Sequence, residues 1–331
     1  TRPRGTGEPF LLPEIARSVD LTDADPPADY PYVNSTLYPR ESPPQGQWGF
    51  DYAQLFDDRF ATLYGFEDPD APGRSLGLCE LSERGLVHEV WIYGDADVPD
   101  VAAAEILAIT PIYDEAGQRL GELGMDRCSA NGCFDRDDVI PASCTRTLRI
   151  GWVNNTRGVG CYLESLGHGI EGLALRGTRP TWEPYFRELA GFDLDVRYGL
   201  LAESWYGCPY GGDCLAYPSP SSVTYTDVAG ESGTIDPYVP NCGNAHWAPN
   251  GRHHYDIENP VAVESACSTW RQPGGAPEPV SADDWSANGA LAPDCTGAFA
   301  VWWWQRFPGV DRLAVDDTGG PMRNFWPYLF Y

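Results

Sequence analysis

The stretch 154-NNTRGVGCYLESLGHGIEGLAL-175 holds one of the five histidines in a chain of 331 residues, with a glutamate on either side of it. On a helix Glu164, His168 and Glu171 stand at i, i+4 and i+7, so all three project from one side. Two chemistries suit that arrangement. Glu164 and Glu171 can work as acid and base, or acid and nucleophile, across a glycosidic bond, one carboxyl protonated and the other ionised. Their backbone origins lie about 10.5 Å apart along the axis at a rise of 1.5 Å per residue, and His168 would tune charge or bind substrate between them. Alternatively, His168 and Glu171, spaced H-x-x-E, offer an imidazole nitrogen and a carboxylate oxygen to one metal ion, with Glu164 orienting the second ring nitrogen. The competing explanation is a solvated helix face, on which such a pair contributes only about 0.2–0.5 kcal/mol.

A metal needs a further ligand. The segment 241-NCGNAHWAPNGRHHYDIEN-259 concentrates His246, His253 and His254 among turn-forming residues, and His246 is the preferred candidate because Trp247 and the turn 248-APNG-251 can hold it rigidly. His168, Glu171 and a distant His246 make the order H-x-x-E…H, which resembles the zinc-ligand order of zinc carboxypeptidases and of some cell-wall amidases. The resemblance covers those three positions. Gly169 and Ile170 stand between the first two ligands, without the arginine that flanks the carboxypeptidase motif, and no H-E-x-x-H sequence occurs. It implies a zinc-dependent peptidase or amidase with His168, Glu171 and His246 on the metal.

Glycines at 158, 160, 167, 169 and 172 are poor helix formers, together costing several kcal/mol (about 1 each relative to alanine), so a helix that keeps them implies close approach to a neighbouring backbone or ligand. Around this helix the grammar is that of an α/β protein. A helical period runs through 50-FDYAQLFDDRFATLYGF-66, another helix through 75–85, and the apolar run 86-LVHEVWIYGD-95 reads as a strand. Within 104–125 the turn DEAG joins two strands; 146-RTLRIGWVNN-155 reads as a strand feeding the helix 158–176, and 181–192 as a short helix. The expected fold is α/β, with a central mostly parallel or mixed sheet, flanking helices and long disulfide-stapled loops. Residues 1–45 read as an extended N-terminal arm and 46–331 as a single α/β catalytic domain with a loop-rich C-terminal half. The segment 298–309 is expected in the core and 321–331 to dock the C-terminus.

Ten cysteines are spread through most of the sequence, and the close pairs 128-CSANGC-133 and 208-CPYGGDC-214, without the repeated C-x2-C spacing of a four-thiolate zinc site, read as small disulfide loops and place the chain outside the cytosol. The first residues lack the apolar stretch of a signal peptide, so a secreted chain would have its targeting segment removed. No segment is long and apolar enough for membrane insertion, and a formal charge of −26 disfavours nucleic acid while suiting neutral or cationic substrates. Twelve tryptophans fit a core but also stack on sugar rings, which favours a glycan substrate. The substrate-binding candidates are Trp91 and Asp95 at the first strand's end, Trp152, Arg157 at the helix start, Trp205, Trp247, Asn250, Tyr255 and Asp256. The leading expectation is a secreted glycoside hydrolase that requires no cofactor; the alternatives are the zinc peptidase or amidase and a non-catalytic extracellular carbohydrate-binding protein. The acidic run 135-DRDD-138 is a candidate for a structural calcium ion.

Overall fold

A computed structural model of the chain describes residues 14–19, 40–41, 49–50, 55–94, 104–116, 118–124, 146, 148–154, 157–175, 180–200, 208, 212–227, 229–308 and 313–326. In chain order these form β1 (Arg40–Glu41), β2 (Gly49–Phe50), α1 (Asp58–Tyr64), β3 (Phe66–Glu67), β4 (Ser75–Leu76), α2 (Leu78–Glu83), β5 (Glu89–Gly94), β6 (Ala104–Tyr113), β7 (Arg119–Gly124) and β8 (Leu148–Asn154). There follow α3 (Val159–Leu175), α4 (Glu183–Ala190), α5 (Leu194–Arg197), β9 (Leu215–Ser219), β10 (Ser222–Thr226), β11 (Ser232–Ile235), β12 (Val263–Ser265), β13 (Glu278–Val280) and α6 (Gly297–Trp304). The described residues fall into two compact units. One holds 158–167 and the residues from 180 onward; the other holds those up to 157 together with 168–175, so the division falls inside α3.

In the second of these units the main sheet has the order β5-β8-β6-β7. β5 and β8 pair in parallel, whereas β8 with β6 and β6 with β7 are antiparallel. Of the expected mostly parallel or mixed sheet, it is the mixed form that appears among the described residues, with one parallel and two antiparallel pairings. The reason is local: the expected DEAG turn closes a hairpin, with Asp114 N–H donating to the Gln118 carbonyl and the Asp114 carboxylate accepting from Gln118 N–H, and a hairpin is antiparallel by construction. The amphipathic helix expected over 50–66 is shorter, since Asp57 caps its N-terminus by accepting from Arg59 N–H at 2.7 Å. Nearby, the buried Asp68 carboxylate accepts from Asp70 N–H, Arg74 and Arg84, which gathers the segment between α1 and α2.

The unit containing the C-terminal half is held by aromatic packing and disulfides. Phe186 of α4 meets Trp303 of α6 and Phe307 edge-on, Trp182 stacks on Phe325 at 4.1 Å, and Trp285 packs against Phe299 and Trp302. The expectations for the described parts of 298–309 and 321–331 hold on this packing, with Met322 also buried. Trp182, Trp247, Trp270, Trp285, Trp302 and Trp303 are all buried, so much of the tryptophan content is core. β9, β10 and β11 form an antiparallel sheet in the order β11-β10-β9. Disulfides join Cys161 to Cys295, Cys208 to Cys214 and Cys242 to Cys267, the second closing the short loop expected from its spacing. The 128–133 pair, the 135–138 acidic run, Asp95 and Trp205 lie outside the described residues. Among those described, no helix is long and apolar enough to cross a membrane.

Candidate metal centre

The first turn of α3 is fastened to a segment far away in sequence. Asp294 accepts from Gly158 N–H at 2.6 Å, Gly160 N–H at 2.9 Å and Cys161 N–H at 3.4 Å, satisfying donors that a helix N-terminus leaves without intrahelical partners. The adjacent Cys161–Cys295 disulfide ties the same two segments covalently. The glycines make this approach possible. A Cβ on Gly160 would lie 2.0 Å from the Asp294 carbonyl oxygen, and one on Gly167 would meet Trp303 at 3.3 Å and Ala245 at 3.4 Å. The close approach implied by the glycine-rich sequence is thus to 294 on one turn and to the neighbour of His246 two turns later.

The histidine-rich loop is fastened just as tightly. Asn241 Nδ2, Cys242 N–H and Asn244 Nδ2 donate to the carbonyls of Glu188, Leu189 and Ala190 at the C-terminal end of α4. The Asn244 side-chain oxygen accepts from His246 N–H and Trp247 N–H, closing a tight turn. Gly243, at φ 75°, is needed there, because a Cβ would lie 2.0 Å from the Trp247 carbonyl oxygen. Further on, Tyr255 N–H donates to the His246 carbonyl at 2.8 Å, and Asp256 clamps Arg252 through its N–H, Nε and Nη2.

These two scaffolds bring Glu164 of α3 to the loop. Glu164 Oε1 accepts from the Tyr255 hydroxyl at 3.1 Å and lies 3.7 Å from His246 Nε2. The Tyr255 hydroxyl is also 2.7 Å from His246 Nε2, and the two rings sit 4.5 Å apart, centroid to centroid. His246 Nδ1 faces His254 Nδ1 at 3.2 Å. Tyr255 itself has a φ of 65°, a left-handed backbone that costs a bulky residue about 1–3 kcal/mol and persists only where surroundings hold it. One turn beyond Glu164 on the same helix, His168 pairs through Nδ1 with Glu171 Oε2 at 2.8 Å. Within the unit that holds the C-terminal half, Glu164 Oε1, His246 Nε2 and the Tyr255 hydroxyl thus form one cluster with separations of 2.7–3.7 Å.

Of the sequence-derived metal set, His246 stands beside Glu164, while His168, one turn beyond Glu164 on α3, is hydrogen-bonded to Glu171. A second grouping, Cys161, Asp294 and Cys295, is the disulfide beside the helix cap, and oxidised sulfur is no thiolate ligand. The substrate-binding candidates are scattered. Tyr255 is at the group. Trp247 is buried and packs against the His254 ring; Asn250 is buried and donates to the carbonyls of Asn259 and Val261; Asp256 holds Arg252. Trp91 is exposed on β5, Arg157 is half-buried ahead of α3, and Trp152 lies in β8 with its side chain outside the description. Sequence reasoning missed Asn244, Asp294 and the pairing role of His254. The asparagine of a G-N-x-H turn was the one available signal, since nothing near Asp294 marks it as the cap of a helix begun 136 residues earlier.

No protein-family model matches the chain, no curated protein matches it, and no solved structure matches it.

Proposed function

We propose that the protein is a metal-dependent hydrolase, with zinc as the favoured ion, held by Glu164, His168 and His246 and acting on a peptide or other amide bond outside the cytosol. The observation that carries this reading is the Glu164–His246 pair at 3.7 Å, with His168 one turn beyond Glu164 on the same helix; two imidazoles and one carboxylate are the donor set of a catalytic zinc site. Glu171 supports it from behind. A carboxylate on His168 Nδ1 directs the other ring nitrogen toward a metal and raises its basicity. His254 does the same for His246: with His246 Nε2 as donor atom to the ion, its Nδ1 carries the proton, and His254 Nδ1 accepts it. Zinc in such a setting lowers the pKa of a bound water to about 7 and polarises a carbonyl. The Tyr255 hydroxyl stands where it can donate to the developing oxyanion.

The glycosidase reading draws less support. Glu164 and Glu171 are both buried and hydrogen-bonded, to Tyr255 and His168 respectively, which suits ligand and positioning roles better than two carboxyls flanking a sugar. The disulfides and the formal charge of −26 accord with a secreted enzyme acting on neutral or cationic substrates.

Elemental analysis of protein purified without chelators is the direct test. One zinc per chain is expected, lost in His168→Ala, His246→Ala and Glu164→Gln. In Glu171→Gln zinc is retained with about 10–100-fold weaker affinity. Metal-free protein that hydrolyses its substrate at full rate, or stoichiometric zinc surviving in both histidine variants, would overturn the proposal.

A further inference from the structure

We infer that Tyr255 is a fourth, displaceable metal ligand, whose phenolate oxygen occupies the coordination position that substrate must enter. The inference rests on the metal reading above and extends it to a residue outside the three-ligand group. The geometry points to it. The Tyr255 hydroxyl lies 2.7 Å from His246 Nε2 and 3.1 Å from Glu164 Oε1, and those two atoms are 3.7 Å from each other. The three separations bracket the roughly 3.3 Å expected between neighbouring donors of a tetrahedral ion with bonds near 2.0–2.1 Å.

An oxygen so close to two ligand atoms must either leave when an ion arrives or bind it. The backbone argues for binding. Tyr255 N–H is tied to the His246 carbonyl at 2.8 Å, its carbonyl accepts from Ile257 N–H, and its left-handed φ is maintained by the Arg252–Asp256 clamp on either side. Tyr255 and His246 therefore move as one piece. On coordination the ion takes the place of the phenolic proton, which leaves to water, so an oxygen–metal bond forms as the oxygen–hydrogen bond breaks. With Glu164, His168, His246 and Tyr255 the ion has four protein ligands, whereas catalysis by such a site needs one position open. The residue most exposed in the group is Tyr255, at 37%, so it is the ligand with room to swing away. In this scheme Tyr255 holds the ion at rest and yields its position to the incoming carbonyl; the freed phenolate takes back a proton from water, and the resulting hydroxyl can then donate to the developing oxyanion.

The test uses full-length, disulfide-intact protein stripped of metal and titrated with copper(II) alone. One copper should bind per chain and produce a visible phenolate-to-copper charge-transfer band, with tyrosinate ring modes enhanced in the resonance Raman spectrum. Tyr255→Phe, which keeps the ring against His246, should still bind copper but lack the band, and its zinc affinity should fall at least about tenfold. Added imidazole should bleach the wild-type band while copper stays bound. Stoichiometric copper without tyrosinate modes in the wild type would overturn the Tyr255 assignment and leave the three-ligand site standing. A band that imidazole cannot diminish would overturn displaceability, and failure to bind copper or zinc at all would overturn both this inference and the metal reading beneath it.

Discussion

Replacing Gly160 by alanine separates close approach from helix propensity as the reason for a glycine-rich α3. In an unconstrained helix interior the change would stabilise by about 1 kcal/mol. Here the new Cβ would lie 2.0 Å from the Asp294 carbonyl oxygen and 2.8 Å from its Oδ1, and the Gly160 α-carbon would itself lie 2.4 Å from a Cβ on Gly297. The nearest neighbours are backbone atoms in a segment bound to the helix by the Cys161–Cys295 disulfide, so they cannot step aside as the end of a flexible side chain does. Over-packing of this kind costs about 1–3 kcal/mol, and pushing Asp294 away weakens a helix cap worth about 1 kcal/mol more. Subtracting the propensity gain leaves a net loss of about 1–3 kcal/mol. Urea unfolding under non-reducing conditions reads it as a lower midpoint at unchanged slope. Gly167→Ala is the control: its Cβ meets side-chain atoms at 3.3–3.4 Å, so it should stay within about 1 kcal/mol of wild type. Because Glu164 follows Gly160 by one turn, Gly160→Ala should also bind zinc more weakly. A variant as stable as wild type or more so would refute the close-approach argument.

Two other substitutions probe the scaffolds. Asn244→Ala removes a buried side chain that donates to the Ala190 carbonyl and accepts from His246 and Trp247 N–H groups; stability should fall by about 2–4 kcal/mol and zinc affinity with it, checked by thermal melts and competition with a chromogenic chelator. The Asp68 carboxyl is held below its usual range chiefly by the Asp70 N–H, with Arg84 and Arg74 adding to it against the opposing effect of burial. A depressed folded pKa means that its contribution is complete above the unfolded value near 3.9 and is lost as pH falls through the lower folded value. Asp68→Asn should therefore destabilise at neutral pH, and the gap to wild type should narrow as pH drops below about 4. An equal gap at pH 2 and pH 7 in denaturant midpoints would show that the carboxylate charge is not what the segment uses.

Much of the local architecture is legible in the sequence. The DEAG hairpin, the strand leading into α3, α4 and the Cys208–Cys214 loop all follow from short-range rules of turn chemistry, periodicity and loop closure. The sheet was harder, because strand direction depends on which segments pair and not on the composition of any one of them. A near-continuous apolar run such as 148-LRIGWVN-154 fits both the parallel partner on one side and the antiparallel partner on the other. The tryptophans were ambiguous for a similar reason. An indole that packs a core and one that stacks on a sugar are the same residue until burial is known, and Trp247 proves to be buried against His254.

By itself the sequence determined that Glu164, His168 and Glu171 share one side of a helix, since advances of four and seven residues turn about 40° and −20° around the axis. That narrow spread is also why it could not decide which carboxylate reaches the histidine loop. The choice is made by the height at which the loop crosses α3, and that height is set by contacts remote in sequence: Asp294 and Cys295 at the first turn, Ala245 and Trp303 against Gly167. At that level Glu164 meets His246 and Tyr255, while Glu171, two turns further on, is left to orient His168. Spacing along a helix sets direction, and only packing sets depth.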